Sequence, residues 1–459
     1  MLLRQILHDD LGCASYLVGD EAAGVAAVVD PRLDVDVYLD LADYLGVRIE
    51  RVFETHTHAD HVSGHGRLVA ATGATLHIHR EALPSFEHEP FDDGEEWLLG
   101  QLRIEALHTP GHRPEHTAFL LAQAADRDPW AVLSGDSLFV NEVARPDLAI
   151  EPTEGARQLF HSLHERLLTL PATVEVWPGH LGGSMCGGPE MDMRPVSTIG
   201  FECHHNELLG IREEVPFVER ALARLGPPPP NSGAIVKVNR APLSSSRPEL
   251  SSLSPQQVEA LADAGAMVVD VRPGTDFAAA HVPGAVTVPA NRAGFGSRLA
   301  SVADPGREIV LVGAGDADSR RAAELAAAVA VTWVVGLLEG GIGSWAAAGL
   351  ASAALEQVGV GELDELIERV PDLQILDVRD PEDWVAAHLP GSLNLPLSEL
   401  RAFPTELDPE LPVATICRSG QKAAVAASLL TGLGAKRVIH VRDGGVPAWV
   451  ELHRDCPAG

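Results

Sequence analysis

The stretch that decides the fold of the first half of this chain reads Thr55-His56-Thr57-His58-Ala59-Asp60-His61. It places three imidazoles and a carboxylate within six residues, directly after the β-branched run 47–53, which predicts a strand. A strand that ends in such a cluster delivers several side chains to one point, because alternate side chains face the same way. Imidazoles and carboxylates are common protein ligands of metal ions, so this stretch predicts a metal site.

Three more ligand-type residues occur downstream, each at a turn that contains Gly or Pro and follows a strand-like run. They are His112 after 102–107, Asp136 after 130–133 and His180 after 174–177. The ordered set HxHxDH, His, Asp and His resembles the metallo-β-lactamase superfamily, and all seven ligand positions of that family are filled in order. The resemblance implies a four-layer αββα sandwich with its metals at one sheet edge, and we assign this domain to residues 1–245.

The overall composition excludes several other classes of protein. A net charge of −31 over 459 residues argues against a nucleic-acid or anionic-membrane partner. The first twenty residues show no secretory signal, and the longest nearly apolar run, 325–338, is too short to span a bilayer. Five unevenly spaced cysteines indicate reduced thiols rather than a disulfide framework. We therefore expect a cytoplasmic enzyme with roughly two to four domains, assembled as a homo-oligomer.

The second half of the chain repeats itself. Three motifs recur in the same order: Asp270-Val271-Arg272 as Asp377-Val378-Arg379, His-x-Pro-Gly of 281–284 at 388–391, and Gly-Gly-x-x-x-Trp of 340–345 at 444–449. The first two motifs recur at a spacing of 107 and the third at 104, which indicates a duplicated domain with a small deletion in one copy. Short β-branched strands alternate with Ala-rich helical stretches, so each copy is predicted to be a parallel-sheet α/β unit.

These landmarks resemble the rhodanese domain, a sulfurtransferase module, and we assign its copies to residues 250–352 and 356–459. In its active form the module carries a cysteine at the head of a loop between a strand and a helix. The second copy supplies Cys417 there, with Arg418 and Lys422 in the same loop. Backbone N–H groups, the helix N-terminus and the two cations would stabilise an anionic sulfur on this cysteine. We therefore predict that these three residues are the catalytic residues of sulfur transfer.

The first copy departs from the rhodanese pattern in this loop, which reads Gly-Ala-Gly-Asp-Ala-Asp-Ser-Arg over 313–320. Aligning the basic residues at the end of the two loops places Gly315 opposite Cys417. The loop then has no nucleophile, and Asp316 and Asp318 would repel an anionic sulfur species. We expect a catalytically inactive homologue that is retained for packing or for orienting its neighbours.

One chemistry open to the metal domain is hydrolysis, as in glyoxalase II-type thioesterases. Two Zn²⁺ ions would then activate a bridging water. The resemblance implies that one metal would be bound by His56, His58 and His112 and the other by Asp60, His61 and His180, with Asp136 between them.

The other chemistry is oxidation at one Fe(II) per chain, held by His56, His112 and Asp136. Two imidazoles and one carboxylate leave positions open for dioxygen and a thiol-type substrate. The other four residues of the motif would then hydrogen-bond to the metal ligands and to water and orient them; these residues are His58, Asp60, His61 and His180.

The rhodanese half favours the oxidation. A sulfurtransferase shares persulfide, sulfite and thiosulfate with an enzyme that oxidises persulfide, whereas a thioesterase has no evident use for it. The architecture resembles persulfide dioxygenase–sulfurtransferase fusions, which implies a non-heme iron persulfide dioxygenase (sulfur dioxygenase) joined to a thiosulfate sulfurtransferase. Such an enzyme uses O₂ to convert a low-molecular-weight thiol persulfide into sulfite and thiol. The resemblance also implies that Arg145 and Asp147, in an Arg-x-Asp segment after Asp136, contact the thiol.

Two further cysteines are candidates for contact with substrate sulfur. Cys186 lies in a Gly-rich loop soon after the last ligand, and Cys203 is its rival. A structural or incidental role is an equal alternative for Cys186 and the favoured interpretation of Cys203. Cys13 and Cys456 show no sign of a function. Persulfide dioxygenases that use glutathione carry a tyrosine soon after the last ligand, where this chain has Leu181-Gly182-Gly183. The thiol carrier therefore stays open among glutathione, coenzyme A, bacillithiol and mycothiol.

Overall fold

The computed structural model of the protein describes residues 1–126, 128–182, 184–188 and 190–453. These residues form two compact units, the first over residues 1–247 and the second over most of the remainder. Within the described ranges, no helix is both long enough and apolar enough to cross a membrane.

Two six-stranded sheets form the centre of the first unit. The strands of one sheet are β1 (Leu2–His8), β2 (Cys13–Asp20), β3 (Val25–Val29), β4 (Arg48–Phe53), β5 (Thr75–His79) and β6 (Glu89–Phe91). Those of the other are β7 (Glu96–Leu99), β8 (Leu102–His108), β9 (Thr117–Gln123), β10 (Ala131–Gly135), β11 (Glu175–Pro178) and β12 (Ser197–Thr198). Each sheet keeps the chain order of its strands, and β3, β4, β5 and β6 run parallel to one another.

Helices cover the outer faces of both sheets. They are α1 (Asp36–Leu45), α2 (His65–Thr72), α3 (Pro152–His161), α4 (Ile199–His205) and α5 (Glu214–Leu222). A further helix, α6 (Ser232–Arg240), contacts the loop after β4, where Nδ2 of Asn239 donates to the carbonyls of His58 and His61. Tyr38 of α1 belongs to a buried cluster on the first sheet, and Leu159 of α3 and Phe217 of α5 belong to a cluster on the second. Phe53 and Phe119 lie in a third cluster, between the two sheets. The layers therefore follow the order helix, sheet, sheet, helix, which confirms the predicted αββα sandwich.

The strands predicted to lead into the ligand residues are all present, with ends displaced by at most two residues. His56 follows the end of β4, His112 follows β8, Asp136 follows β10 and His180 follows β11. Both sheets therefore contribute to the place where these loops meet.

Two five-stranded sheets, each parallel throughout, form the second unit. The first consists of β13 (Ser251–Leu253), β14 (Met267–Asp270), β15 (Val286–Thr287), β16 (Ile309–Val312) and β17 (Val334–Leu338). The second consists of β18 (Glu356–Gly359), β19 (Gln374–Asp377), β20 (Leu393–Asn394), β21 (Val413–Ile416) and β22 (Val438–Arg442). The spatial orders β13-β17-β16-β14-β15 and β18-β22-β21-β19-β20 are the same, which confirms the duplication.

Four helices of each copy correspond. The helices of the first copy are α7 (Pro255–Asp263), α8 (Gly274–Ala279), α9 (Phe295–Val302), α10 (Asp316–Ala327) and α11 (Gly341–Ala347), and those of the second are α12 (Leu363–Arg369), α13 (Pro381–Ala386), α14 (Gln421–Gly432) and α15 (Gly445–Leu452). Where the first copy has α9, the second copy has only the short 3₁₀ turn Leu397–Glu399. The repeated Asp-Val-Arg motif forms a buried ion pair in both copies. Nη2 of Arg272 lies 2.6 Å from Oδ2 of Asp270, and Nη2 of Arg379 lies 2.6 Å from Oδ2 of Asp377. Each arginine also donates to the carbonyl of the residue just after the following helix, Ala280 or Ala387, so the motif serves the fold in both copies.

The structure corrects the predicted equivalence of the two loops. The residue that follows β16 is Gly313, and the residue that follows β21 is Cys417. The carbonyl of Gly313 accepts the N–H of Ile342 at 3.1 Å, as the carbonyl of Cys417 accepts that of Val446 at 2.9 Å. Gly313, not Gly315, is therefore the counterpart of Cys417. Aligning two basic residues on solvent-exposed helical turns was wrong because nothing in the packing constrains them, whereas the strand ends are held by the sheet.

Candidate active sites

The loops after β4, β8 and β10 bring three predicted ligands together. The ligand atoms of His56, His112 and Asp136 all lie within 4.8 Å of one another, and all three side chains are buried. Oδ2 of Asp136 lies 4.0 Å from Nε2 of His56 and 3.6 Å from Nε2 of His112. The residues that the sequence assigns to a single metal ion thus share one small, enclosed space.

The unpaired atoms of this triad fit a metal ion. Within the described part of the chain, Nε2 of His56, Nε2 of His112 and Oδ1 of Asp136 have no hydrogen-bond partner. The other ring nitrogens are engaged, because Nδ1 of His112 donates to the carbonyl of Arg145 at 2.8 Å and Nδ1 of His56 meets Oγ1 of Thr55 at 2.9 Å. Buried polar atoms nearly always have a hydrogen-bond partner. Three unpaired ligand atoms that point to one space therefore indicate a binding site for a divalent transition metal.

The electrostatics favour the protonation states that bind a metal. Burial lowers the pKa of His56, and the neighbouring His58 ring adds to this effect. Burial also lowers the pKa of His112, so both imidazoles stay neutral. Burial opposes ionisation of Asp136, but the adjacent His180 ring outweighs it and lowers the pKa of that carboxyl to about 2. Neutral rings and an ionised carboxylate are the forms that coordinate metal ions.

Asp60, His61 and His180 lie beside the triad and contact one another. Nδ1 of His61 is 3.1 Å from Oδ1 of Asp60. Nε2 of His180 is 3.4 Å from Oδ2 of Asp60 and 3.2 Å from Oδ2 of Asp136. This network continues from the triad through an electrostatic contact, because neither carboxylate oxygen of Asp136 has a hydrogen-bond partner among the described residues.

His58 is anchored by two buried carboxylates. Its Nε2 lies 3.1 Å from Oε2 of Glu54 and 3.2 Å from Oδ1 of Asp30. Its Nδ1 has no partner among the described residues, and its ring centre lies 4.2 Å from that of His56. One nitrogen of His58 is therefore also available to a metal ion.

Cys13 belongs to this site, which the sequence did not indicate. It opens β2, and its buried Sγ donates to Oδ2 of Asp60 at 3.2 Å. Its Sγ also lies 3.6 Å from Nδ1 of His61. The interpretation of Cys13 as uninformative was wrong, because its proximity to residues 60 and 61 arises only from the folding of β2 against the metal loop.

The two rival cysteines occupy different surroundings. The Sγ of Cys186 lies within 4.8 Å of ligand atoms of Asp60 and His180, and the residue is buried. Cys203 lies on α4 and packs against the apolar cluster on the outer face of the second sheet. The structure therefore brings Cys186, and not Cys203, to the candidate metal site. Cys456 lies outside the described residues.

His116 is a site residue that the sequence reasoning missed. Its Nε2 accepts the backbone N–H of Asp136 at 2.8 Å, and its Nδ1 lies 2.9 Å from Oγ1 of Thr109. Gly135 makes this approach possible, because a β-carbon there would lie 2.7 Å from Nε2 of His116 and the backbone has a φ of +51°. The available signal was the placement of His116 four residues after ligand His112.

Arg145 is fully engaged by its surroundings. Its guanidinium binds Asp147 through Nε at 2.7 Å and Nη2 at 2.9 Å, and it also donates to the carbonyls of Met185, Gly226 and Pro227. Its own carbonyl accepts the N–H of ligand His112. Arg145 thus stabilises the loops around the triad, and its predicted contact with substrate would require one of these bonds to be exchanged.

The second candidate site is the loop of Cys417. The thiol is 2% exposed, and its Sγ accepts the N–H of Gly420 at 3.1 Å. The twelve-residue helix α14 begins directly after Gly420, so the positive end of its dipole faces the sulfur. The loop therefore provides the anion-stabilising surroundings that the sequence predicts for a sulfur carrier.

Arg418 and Lys422, which belong to this loop and to the start of α14, form ion pairs with two aspartates at the start of α13. Nη2 of Arg418 lies 2.7 Å from Oδ1 of Asp383, and Nζ of Lys422 lies 3.0 Å from Oδ2 of Asp380. Both cations are substantially exposed, so solvent weakens these pairs and an incoming anion can exchange with the carboxylates.

Comparisons with known protein families agree with the division of the chain into a metal-binding unit and two rhodanese-like copies. A model of the metallo-β-lactamase superfamily matches residues 8–180, and a model of the rhodanese-like domain matches residues 254–348 and 360–452. A crystal structure described as a metallo-β-lactamase from Staphylococcus aureus superposes with a TM-score of 0.65 at 26% identity, covering 74% of this chain and 98% of that one. The likeness therefore extends beyond the first unit.

Curated relatives match the first unit. The mitochondrial persulfide dioxygenase ETHE1 of Bos taurus is 29% identical over 182 residues, which are 39% of this chain and 68% of that protein. Hydroxyacylglutathione hydrolase of Methylococcus capsulatus is 37% identical over 169 residues, covering 36% of this chain and 60% of that protein. A probable metallo-hydrolase of Burkholderia pseudomallei is 32% identical over 252 residues, which are 46% of this chain and 81% of that protein. The chain belongs to the metallo-β-lactamase superfamily, and it carries two rhodanese-like domains behind its metal-binding fold.

Proposed function

We infer that the first unit is a persulfide dioxygenase that holds one Fe(II) with His56, His112 and Asp136. It would convert a thiol persulfide, O₂ and water into free thiol, sulfite and protons. The relatives alone do not decide this, because a persulfide dioxygenase and a hydroxyacylglutathione hydrolase both match this unit. The observation that carries the proposal is the Cys417 loop on the same chain, which is built to hold an anionic sulfur.

Bound iron would supply a Lewis-acidic, redox-active centre where O₂ and the persulfide meet. The carbonyl of Arg145 holds Nδ1–H of His112, which directs Nε2 toward the shared space. His180 lies against the Asp136 carboxylate and favours its ionised form. Burial of the triad excludes bulk water from a site that handles reactive sulfur. On the thiol side, we place Arg145, Asp147 and Cys186 as the residues nearest an incoming carrier.

Sulfur transfer would follow at Cys417. Sulfite attacks the outer sulfur of a Cys417 persulfide, and the new S–S bond yields thiosulfate while the electron pair of the broken bond returns to Sγ. The N–H of Gly420 stabilises the resulting thiolate, and Arg418 and Lys422 attract the anionic sulfite. The thiolate then attacks the outer sulfur of another thiol persulfide, which releases the carrier thiol and reloads Cys417.

A dinuclear zinc thioesterase is the second candidate function. Two observations favour it: the free Nδ1 of His58, and the presence of the whole set Asp60, His61 and His180 beside Asp136. Against it, Asp60 is already shared among His61, His180 and Cys13. A second metal ion at this place would have to displace these contacts of Asp60.

Metal content and oxygen uptake separate the two functions. Protein purified without air should hold about one Fe per chain, and should consume O₂ and release sulfite when given a thiol persulfide. His112→Ala should abolish both the uptake and the sulfite, whereas His204→Ala, on the exposed face of α4, should behave as the wild type. Two Zn²⁺ per chain together with hydrolysis of S-lactoylglutathione and no O₂ uptake would establish the thioesterase instead.

A further inference from the structure

His440 is a buried histidine in β22 that lies outside the repeated motifs and outside the proposed chemistry. Its side chain is 4% exposed, and Nε2 lies 2.8 Å from the carbonyl oxygen of Gly420. Gly420 is also the residue whose N–H donates to Sγ of Cys417 at 3.1 Å. A single histidine therefore holds the residue that contacts the sulfur.

The partners of His440 determine which ring nitrogen carries the hydrogen. The amide Nε2 of Gln357, on the adjacent strand β18, donates to Nδ1 of His440 at 3.1 Å. Since Nδ1 accepts, Nε2 carries the hydrogen and donates to Gly420. Burial lowers the pKa of His440, so the ring keeps this neutral form. The same amide of Gln357 donates to the carbonyl of Gly274 in the first copy at 3.3 Å. A chain of hydrogen bonds thus runs from Gly274 through Gln357 and His440 to Gly420.

The first copy has no histidine at the position that corresponds to His440. Gly336 lies four residues before the Gly340-Gly341 pair, as His440 lies four residues before Gly444-Gly445. Gly336 pairs with Ser251 on the neighbouring strand, whereas His440 pairs with Gln357. A β-carbon at Gly336 would lie 2.7 Å from the backbone carbonyl oxygen of Ser251 on the adjacent strand, so a side chain there would force that strand to move. The histidine is thus present in the copy that has the thiol and sterically excluded from the copy that lacks it.

We propose that His440 is a positioning residue for sulfur transfer: through Gly420 it fixes the N–H that stabilises the sulfur of Cys417. Gln357 orients the ring, and the first copy contributes by holding Gln357. The inference rests on the proposed sulfurtransferase function of the second copy. It also gives the inactive copy a definite task, which is to support the active loop of its neighbour.

Sulfur transfer to and from Cys417 can be followed with thiosulfate as the sulfur donor and cyanide as the acceptor. The Cys417 thiolate attacks the outer sulfur of thiosulfate, the S–S bond breaks, and sulfite leaves with the electron pair. Cyanide then attacks the outer sulfur of the persulfide, which gives thiocyanate and returns the electron pair to Sγ. Both steps pass through an anionic Sγ, so misplacing the Gly420 N–H slows turnover more than it weakens donor binding.

The experiment compares His440→Leu, His440→Gln and a matched control, His281→Leu, in the full-length protein. His281 is also buried and bonds the carbonyl of Phe277, but it lies in the first copy and bonds no part of the thiol loop. We expect His440→Leu to lower kcat of thiocyanate formation about tenfold with KM for thiosulfate nearly unchanged. His440→Gln retains an N–H donor and should recover most of this loss, and His281→Leu should keep the wild-type kcat.

A second readout does not depend on turnover. The rate at which iodoacetamide alkylates Cys417, followed by mass spectrometry at a fixed pH, should fall in His440→Leu and recover in His440→Gln. Wild-type kcat and alkylation in His440→Leu would overturn the proposal, and so would a folded His440→Gln variant as impaired as His440→Leu. If the wild type transfers no sulfur, the proposed function fails, and the alkylation rates alone still decide the role of His440.

Discussion

The two rhodanese-like copies have the same strand order and the same buried Asp–Arg pair, yet only one has a loop fit for sulfur chemistry. In the second copy the residue after the central strand is Cys417, and its Sγ accepts the N–H of Gly420. In the first copy that residue is Gly313, where a β-carbon would lie 2.7 Å from the carbonyl oxygen of Gly315 and 2.9 Å from Oγ of Ser319. The first loop has closed over the space that the thiol occupies in the second.

This difference separates the parts of the motif that build the fold from those that carry the chemistry. The arginines of both Asp–Arg pairs also donate, at 2.7 Å, to the carbonyl of the residue just after the following helix, which is Ala280 in one copy and Ala387 in the other. These buried contacts persist in the inactive copy because the fold needs them. The repeated landmarks therefore identify the fold, and the copies differ in the loop between strand and helix, which carries a thiol in only one of them.

The largest effect is expected from removing the thiol of the active copy. Cys417→Ser eliminates the sulfur carrier but leaves the metal triad unchanged, so the variant should still consume O₂ and accumulate sulfite. Wild type given excess persulfide should accumulate thiosulfate instead. Product analysis by thiol-derivatisation chromatography distinguishes these outcomes, with Cys203→Ser on α4 as the matched control. Equal amounts of thiosulfate from Cys417→Ser and wild type would show that Cys417 does not carry the sulfur of thiosulfate. The second copy would then serve another acceptor.

An intermediate effect is expected from placing a thiol in the inactive copy. Gly313→Cys in a Cys417→Ser background introduces a nucleophile at the equivalent position, but its β-carbon would clash with Gly315 and Ser319. We expect no thiocyanate formation and a decrease of roughly 1–3 kcal/mol in the free energy of unfolding of this unit. Recovery of transferase activity would show that the closed loop is not what prevents catalysis in the first copy.

The smallest effect is expected from the acidic residues of the inactive loop. Oδ1 of Asp316 accepts the N–H of Gly340 at 2.8 Å, which is a solvent-exposed contact. Asp316→Ala should therefore leave the rate of sulfur transfer within about twofold of wild type, with a small loss of stability. Rhodanese assays and melting curves of the two proteins test this, and a large loss of transfer in a folded variant would mean that the first copy takes part in catalysis.

Most of the candidate metal site could be predicted because its ligands occur in short, ordered motifs at strand ends. His56, His112 and Asp136 each follow a recognisable run of strand residues and a tight turn. Cys13 could not be found in this way, since it lies 47 residues from Asp60 in the chain and reaches it only when β2 forms. Arg145 shows a different limit, because the sequence identifies its proximity to the site but not that its guanidinium is occupied by Asp147 and three carbonyls.

The sequence by itself determined the fold of each domain and the chemical types at each site. Periodic strands, turns and repeated landmarks are local or regularly spaced, so they survive in a linear pattern. Only the tertiary structure decided the pairings: Cys13 with Asp60, His116 with the N–H of Asp136, and His440 with the carbonyl of Gly420. These contacts join distant segments through the packing of whole sheets, and packing is a property of the folded chain that no local pattern records.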